Sequence, residues 1–422
     1  MKSGHMKRRT FLKAAGAAML TPLGFSARSY GQISGANSRL NVGFIGCGGM
    51  AGAHLGALLA MRDEENVTIS TVCDIYETRA KQFQGRVADQ GGQATVTTAY
   101  EAVLDDKDID YVVIATPEHS HKYLTLDALD AGKHIYVEKP MTHTEQEALQ
   151  VVERTKETGL KVQVGVQAMA DDSYSSAYAA IKAGKIGPVV QAQIDYVRNY
   201  ADNEGPWRTG VKSDMPKPAD LDWETWLYPA KKRPWDPHRY FEWRNYRDYS
   251  GGVATDLFIH RITRIIRACG LTFPRRAVGM GDITIWPDGR ELPDNFEMLL
   301  EYPAVEGITP GMSVYILGTM ANARSNPHYI RGKKGTLQFT GKGWDILSEE
   351  GGEIVESHVK TGGEDVVPHH KNHHAAIRDG AELNCPVELG LYGVVAVCMG
   401  NNSWFDRRMM EWDYKRNRIK KA

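Results

Sequence analysis

Between residues 41 and 164 continuous apolar runs alternate with helical patterns, the order expected of a doubly wound parallel sheet. The run Tyr111-Val-Val-Ile-Ala115 shows no polar alternation and so predicts a strand buried on both faces. Val67-Thr-Ile-Ser-Thr-Val-Cys-Asp74 and His134-Ile-Tyr-Val137 predict two more, with helices at residues 53–59 and 122–131. Past residue 189 the pattern changes. Residues 189–198 alternate as a strand with one wet face, and residues 277–285, 295–302, 311–317, 328–331, 336–339 and 344–347 predict further short strands between Gly, Pro and Asp turns. Residues 171–183, 372–379 and 391–408 predict helices. Residues 199–250 have little periodicity and many Trp, Tyr, Pro and Arg residues, as long functional loops do. These patterns predict an α/β fold with a Rossmann-type nucleotide domain at 36–165, a second domain at 166–410 and a basic tail at 411–422.

The glycine turn supplies the first candidate chemistry. A short strand ends in Gly46-Cys47-Gly48-Gly49-Met50-Ala51 and runs directly into a helix. Gly46 suits a tight turn, Gly48 lets backbone approach a pyrophosphate, and the small Ala51 allows helix to pack on strand. Asp74, at the tip of the next strand, stands where a ribose-binding acid is expected and would repel a 2′-phosphate, so NAD is favoured over NADP. Arg79 nearby tempers that preference. A second signal is Glu138-Lys139-Pro140 at a strand's carboxyl end, on the edge that carries the glycine turn. There Lys139 would face the nicotinamide and take part in proton transfer from a substrate hydroxyl.

These residues, with Ala115-Thr116-Pro117, His121 and Ala131-Gly-Lys-His-Ile-Tyr-Val-Glu-Lys-Pro140, resemble the glucose-fructose oxidoreductase, inositol dehydrogenase and MocA family. The resemblance implies a second α+β domain with a large open, mostly antiparallel sheet that lines a sugar site and mediates assembly into a homodimer or homotetramer. It implies a catalytic Lys139, a cis Lys-Pro bond, and a nicotinamide environment built from Thr116, Pro117, His121, Glu138 and Gln167, with Gly49 and Met50 at the glycine turn. Glu118 stands where many relatives carry asparagine, which puts its cofactor contact in question. The third signal, Asp256-x-x-x-His260 after Gly251-Gly252, matches the family's substrate helix and places acid and imidazole on one helix face. His260 would then share the hydroxyl proton with Lys139 over one nicotinamide ring, with Asp256 orienting. Ile259 and Thr263 depart from the family's glycine and acid at those places.

Arg198, Trp207, Arg208 and Tyr246, in the aromatic loop and the strand before it, are candidate sugar contacts by stacking and hydroxyl bonding. Arg244 could also bond hydroxyls, although most of the loop aromatics are expected to pin the loop to its domain. His369, His370, His373 and His374 stand at helical spacing, but without an evident third ligand they read as a solvated helix start and no metal is assigned. A formal charge of −1 over 422 residues gives no footprint for nucleic acid, and five scattered cysteines give no disulfide framework.

Residues 1–35 stand apart from the fold. Met1 to His5 resemble an added expression segment; Arg8-Arg9 and the apolar run after them resemble a twin-arginine export signal, its apolar run too short for an ordinary membrane span. The expected location is periplasmic, where free NAD is scarce, so the nucleotide would be held tightly. Three readings follow: an NAD-dependent oxidoreductase on a sugar or glycoside hydroxyl, such as C3 of a pyranose; a glycosidase or lyase using transient oxidation and elimination; and a non-catalytic sugar or nucleotide sensor.

Overall fold

The computed structural model describes residues 38–201 and 205–422; the export-signal reading lies outside them. Six strands build the first sheet: β1 (Leu40–Ile45), β2 (Val67–Cys73), β3 (Thr95–Thr97), β4 (Tyr111–Ile114), β5 (His134–Glu138) and β6 (Val162–Gly165). All pair in parallel, in the order β3-β2-β1-β4-β5-β6. Between them run α1 (Gly49–Ala60), α2 (Glu77–Ala88), α3 (Tyr100–Asp105), α4 (His121–Asp130) and α5 (Glu145–Thr158). Alternate residues feed two cores. Val42, Phe44, Tyr111, Val113 and Tyr136 join Leu55 and Leu58 of α1, whereas Ile45, Val112, Ile114, Ile135 and Val137 join α4 and α5 on the other face.

After α6 (Ser173–Lys182) and β7 (Val189–Val197), two short helices, α7 (Trp223–Leu227) and α8 (Pro237–Phe241), punctuate the aromatic loop. A π-helical stretch at Val253–Phe258 leads into α9 (Ile259–Cys269). The second sheet is completed by β8 (Arg276–Asp282), β9 (Asn295–Tyr302), β10 (Met312–Thr319), β11 (His328–Gly332), β12 (Gly335–Thr340), β13 (Gly343–Ser348) and β14 (Ile354–Val359). Then come α10 (Val366–Asp379), α11 (Val387–Asp406) and the hairpin β15 (Met410–Asp413) and β16 (Arg418–Lys421). The order is β14-β13-β12-β11-β7-β10-β9-β8-β15-β16, antiparallel except where β7 and β10 run parallel at its middle. Residues 411–422, expected as a tail, thus form part of the sheet's edge, anchored by Trp412 stacked on Phe273 at 4.6 Å. One continuous core runs from the first sheet through α5 and α11 into the second sheet, so the two halves share their packing.

The histidine-rich segment departs from expectation. His369, His370, His373 and His374 are fully buried, because α10 crosses back and covers the first sheet beside α1. Tyr111 hydroxyl meets His374 Nε2 at 3.0 Å and Tyr136 hydroxyl meets His369 Nδ1 at 2.9 Å. These ring nitrogens are partners for strand tyrosines, so a solvated helix start is excluded. Among the described residues no group of three or more His, Cys, Asp or Glu side chains is placed to hold a metal ion.

Candidate active site

The glycine turn opens onto a cleft at the carboxyl ends of β1, β2, β4 and β5. Gly46 has φ +92°, and a Cβ there would meet Thr116 and the Ala115 backbone at about 3 Å. Gly48 and Gly49 differ: a Cβ on either would meet no atom within 4 Å. Their bare backbone therefore faces open space at the start of α1, whose first turn carries no acidic side chain and no side-chain cap. Unpaired N–H groups and the positive end of the helix suit a pyrophosphate. Ala51 is buried beneath the turn. At the tip of β2, Asp74 accepts from the Cys47 and Tyr76 amides, each at 2.8 Å. Two fixed carboxylate oxygens with spare lone pairs suit a ribose diol. Arg79 lines the same end, its guanidinium 5.3 Å from the centre of the Tyr240 ring. The residues present therefore fit a dinucleotide.

At the other end of the cleft stand Thr116, Pro117, Glu138 and Lys139. The Lys139-Pro140 bond is cis. Lys139 Nζ donates to Asp256 Oδ1 at 2.9 Å and to the Asp256 carbonyl at 2.7 Å. Arg244 Nε donates to the same Oδ1 at 2.8 Å. Burial alone would raise the Asp256 pKa, but the Arg244 and Lys139 charges overcome it and hold the carboxyl far below the usual range. The unit is therefore a carboxylate between two cations, with one Lys139 N–H left for a substrate oxygen. Glu138 is buried behind it, accepting from Gln167 at 2.8 Å and meeting His54 Nε2 at 2.9 Å; His54 Nδ1 in turn meets His370 Nε2 at 2.9 Å. Burial opposes ionisation of Glu138, yet the His54 contact and the Lys139 charge bring its pKa below the ordinary value.

His260 is expected over the same space as Lys139, and the structure places it differently. It lines an adjoining cavity with Met50, Gln167 and Tyr196, and Met50 borders both spaces. The two groups still sense each other: burial first, then the Lys139 charge, pushes the His260 imidazole well below its usual pKa, leaving it neutral. A π-helical turn over Val253–Phe258 replaces the regular α-helical winding that the expected Asp256/His260 spacing assumes.

Several sequence candidates lie elsewhere. Glu118 does not line the cleft; its carboxylate accepts from Ser250 Oγ at 2.7 Å, Thr255 Oγ1 at 2.8 Å and the Gly251 amide at 3.2 Å, and so clamps the segment ahead of α9. His121 is buried between the carbonyls of Pro140 (2.7 Å) and Thr116 (2.8 Å), shaping the turn rather than lining the cleft. Arg208 pairs with Glu242 and Asp288, Tyr246 packs among the loop aromatics, and Trp207 packs against the main core. Arg198 bonds the hydroxyls of Tyr196 and Tyr200 on the exposed side of β7. None of these four borders either cavity. Trp226, Tyr240 and Trp243 do line the cleft, while Trp223 and Trp226 stack at 4.9 Å and pin the loop. His54 carried no sequence signal of its own, because its partner Glu138 is 84 residues away.

Two family models match: an oxidoreductase family's NAD-binding Rossmann fold over residues 40–166, and its C-terminal alpha/beta domain over residues 179–268. Together they account for just over half of the chain. The chain belongs to the Gfo/Idh/MocA oxidoreductase family. Among curated relatives, Oxidoreductase P35 of Formosa agariphila is 36% identical over 177 residues, 41% of this chain and 53% of that protein. Levoglucosan dehydrogenase of Pseudarthrobacter phenanthrenivorans is 30% identical over 173 residues, 40% of this chain and 44% of that protein. The chain thus spans about half the length of these curated relatives. A solved structure of levoglucosan dehydrogenase with NADH and L-sorbose superposes with a TM-score of 0.66 at 18% identity, covering 88% of this chain and 98% of that one, which shows the shared Gfo/Idh/MocA fold.

Proposed function

We propose that the protein is an NAD-dependent oxidoreductase acting on a ring hydroxyl of a sugar or glycoside. The observation that carries this reading is the Lys139-Asp256-Arg244 unit at the nicotinamide end of a cleft whose other end fits pyrophosphate and ribose. NAD, when bound, supplies the hydride acceptor. Glu138, Lys139 and Thr116 would border the nicotinamide; Gly48, Gly49 and Asp74 would hold the rest. The remaining Lys139 N–H donates to the substrate oxygen and stabilises the negative charge that grows there as its proton leaves. Asp256 fixes the Lys139 head through its carboxylate and its carbonyl. The neutral imidazole of His260, in the adjoining cavity, accepts the hydroxyl proton. With NAD bound to accept the hydride, oxidation would convert the carbinol to a carbonyl while His260 takes up the hydroxyl proton.

Lys139→Met tests this assignment. With a sugar that reduces NAD, kcat/KM should fall by about 10²- to 10⁴-fold, while NAD binding measured by fluorescence persists; unchanged turnover removes Lys139 from the chemistry. Release of an aglycone with no net change in nicotinamide absorbance would instead identify oxidation-assisted cleavage, and sugar binding with neither outcome would identify a sensor. We place the enzyme in the periplasm by the twin-arginine pattern, with NAD retained between turnovers. Nucleotide lost completely on dialysis of native protein, or protein retained in the cytoplasm in cell fractionation, would contradict the respective statement.

A further inference from the structure

The cavity beyond the cleft carries two arginines that the hydroxyl chemistry does not use. Arg261 and Arg264 stand three residues apart on α9 and both line it, together with His260. Arg264 is only 6% exposed; one end of its guanidinium pairs with Glu364, while its buried Nε has no hydrogen-bond partner among the described residues. Arg261 lies 4.6 Å from the centre of the Tyr196 ring, its Nε is likewise buried without a partner, and no carboxylate among the described residues lies within ion-pair distance of it. A buried, unpaired guanidinium N–H is costly unless an acceptor arrives. The cavity's other acid, Asp365, accepts from the Val367 amide at the start of α10.

Distance along the helix orders these groups. His260 and Arg264 are four residues apart on α9, hence about 6 Å along its axis, a separation comparable to the width of a six-membered sugar ring. Asp256, which binds Lys139, precedes His260 on the same helical run, on the side away from Arg264. We propose that this cavity binds the carboxylate of an acidic sugar, a uronate or aldonate, on Arg261 and the free edge of Arg264, which presents a hydroxyl-bearing carbon to Lys139 and His260. A carboxylate rather than a phosphate is assigned because Glu364 and Asp365 already balance one of the two cations and the capped helix end. The single charge left on Arg261 matches a monoanion, and a dianion would face Glu364 across the cavity. The assignment deepens the oxidoreductase reading and rests on it for the second half of the statement, but the binding half stands separately.

The experiment is calorimetric titration of NAD-loaded full-length protein with D-glucuronate, D-galacturonate and D-gluconate against D-glucose, D-galactose, D-glucitol and D-glucose 6-phosphate, followed by nicotinamide absorbance on the same mixtures. At least one acid should bind about ten-fold or more tightly than its neutral counterpart. Arg261→Gln should abolish that preference and Arg261→Lys should restore part of it, with melting temperatures showing that both variants fold. Equal binding of acid and neutral sugars, no binding of any acid, tighter binding of the phosphate than of every acid, or a preference that survives Arg261→Gln overturns the inference. Reduction of NAD by neutral sugars alone overturns it while leaving the oxidoreductase reading intact. An Arg261-dependent preference for acids with no NAD reduction by any sugar supports the anion site and overturns the oxidoreductase reading instead.

Discussion

Gly46 and Gly48 lack side chains for different reasons, and the difference can be measured. Gly46 adopts a left-handed conformation against neighbouring backbone, whereas Gly48 has an ordinary φ of −84° and faces empty space. Gly46→Ala should therefore cost stability, by about 1 kcal/mol or more, seen as a lower denaturant midpoint. Gly48→Ala, at the N-cap of α1, should cost less than Gly46→Ala, about 0.5 kcal/mol, yet weaken NAD binding by about ten-fold or more, since its methyl would occupy the pyrophosphate's place. Equal stability losses in both variants would contradict the cradle. The positions of the glycines, Asp74 and Lys139 along the cleft are legible in sequence because a local turn or strand end sets where each one stands. That of Glu118 is not, since its three donors come from residues 250–255, and neither are those of Arg208 and Tyr246, whose partners are scattered through the aromatic loop.

At the scale of elements, α10 carries the clearest pH signature. Burial drives the pKa of His369 down to about 3 and those of His370 and His373 well below the ordinary 6.5. These rings stay neutral in the folded chain and charge in the unfolded one, so the unfolded state binds more protons below pH 6.5. Their contribution is complete above that value and is lost as pH falls below it, at about 1.4 kcal/mol per pH unit for each ring. Denaturant midpoints should drop steeply from pH 6.5 to 5, and His373→Phe should make the slope shallower; a flat profile in the wild type would contradict burial of neutral rings. Sequence spacing shows which residues share a face of this helix but not what covers it, so its burial is not legible there. Most strands of the second sheet were legible from alternation, to within a few residues. The edge strands β14 and β16 are largely exposed and so lack a clear apolar alternation, and β15, only four residues long, takes its place from pairing with β8, well over a hundred residues earlier.

At the scale of the whole molecule, the described residues leave apolar side chains exposed on one face of the larger sheet. Leu299 is 50% exposed and lies in register between Val278 and Tyr315, with Met280 68% exposed nearby. Apolar positions in a row on an open sheet suit a second copy of the chain. Light scattering on the purified protein should give a dimer or tetramer mass that Leu299→Lys lowers; a monomer in the wild type would contradict this. The crossing of α10 has a different consequence, one of timing. A ribosome that has released only the segment carrying the glycine turn and six parallel strands has yet to make the histidine helix that roofs them, some two hundred residues downstream. Nascent nucleotide-binding segments must therefore wait, apolar surface bare, until nearly the entire polypeptide has emerged, and a truncation before residue 366 would be expected to recruit chaperones rather than coenzyme.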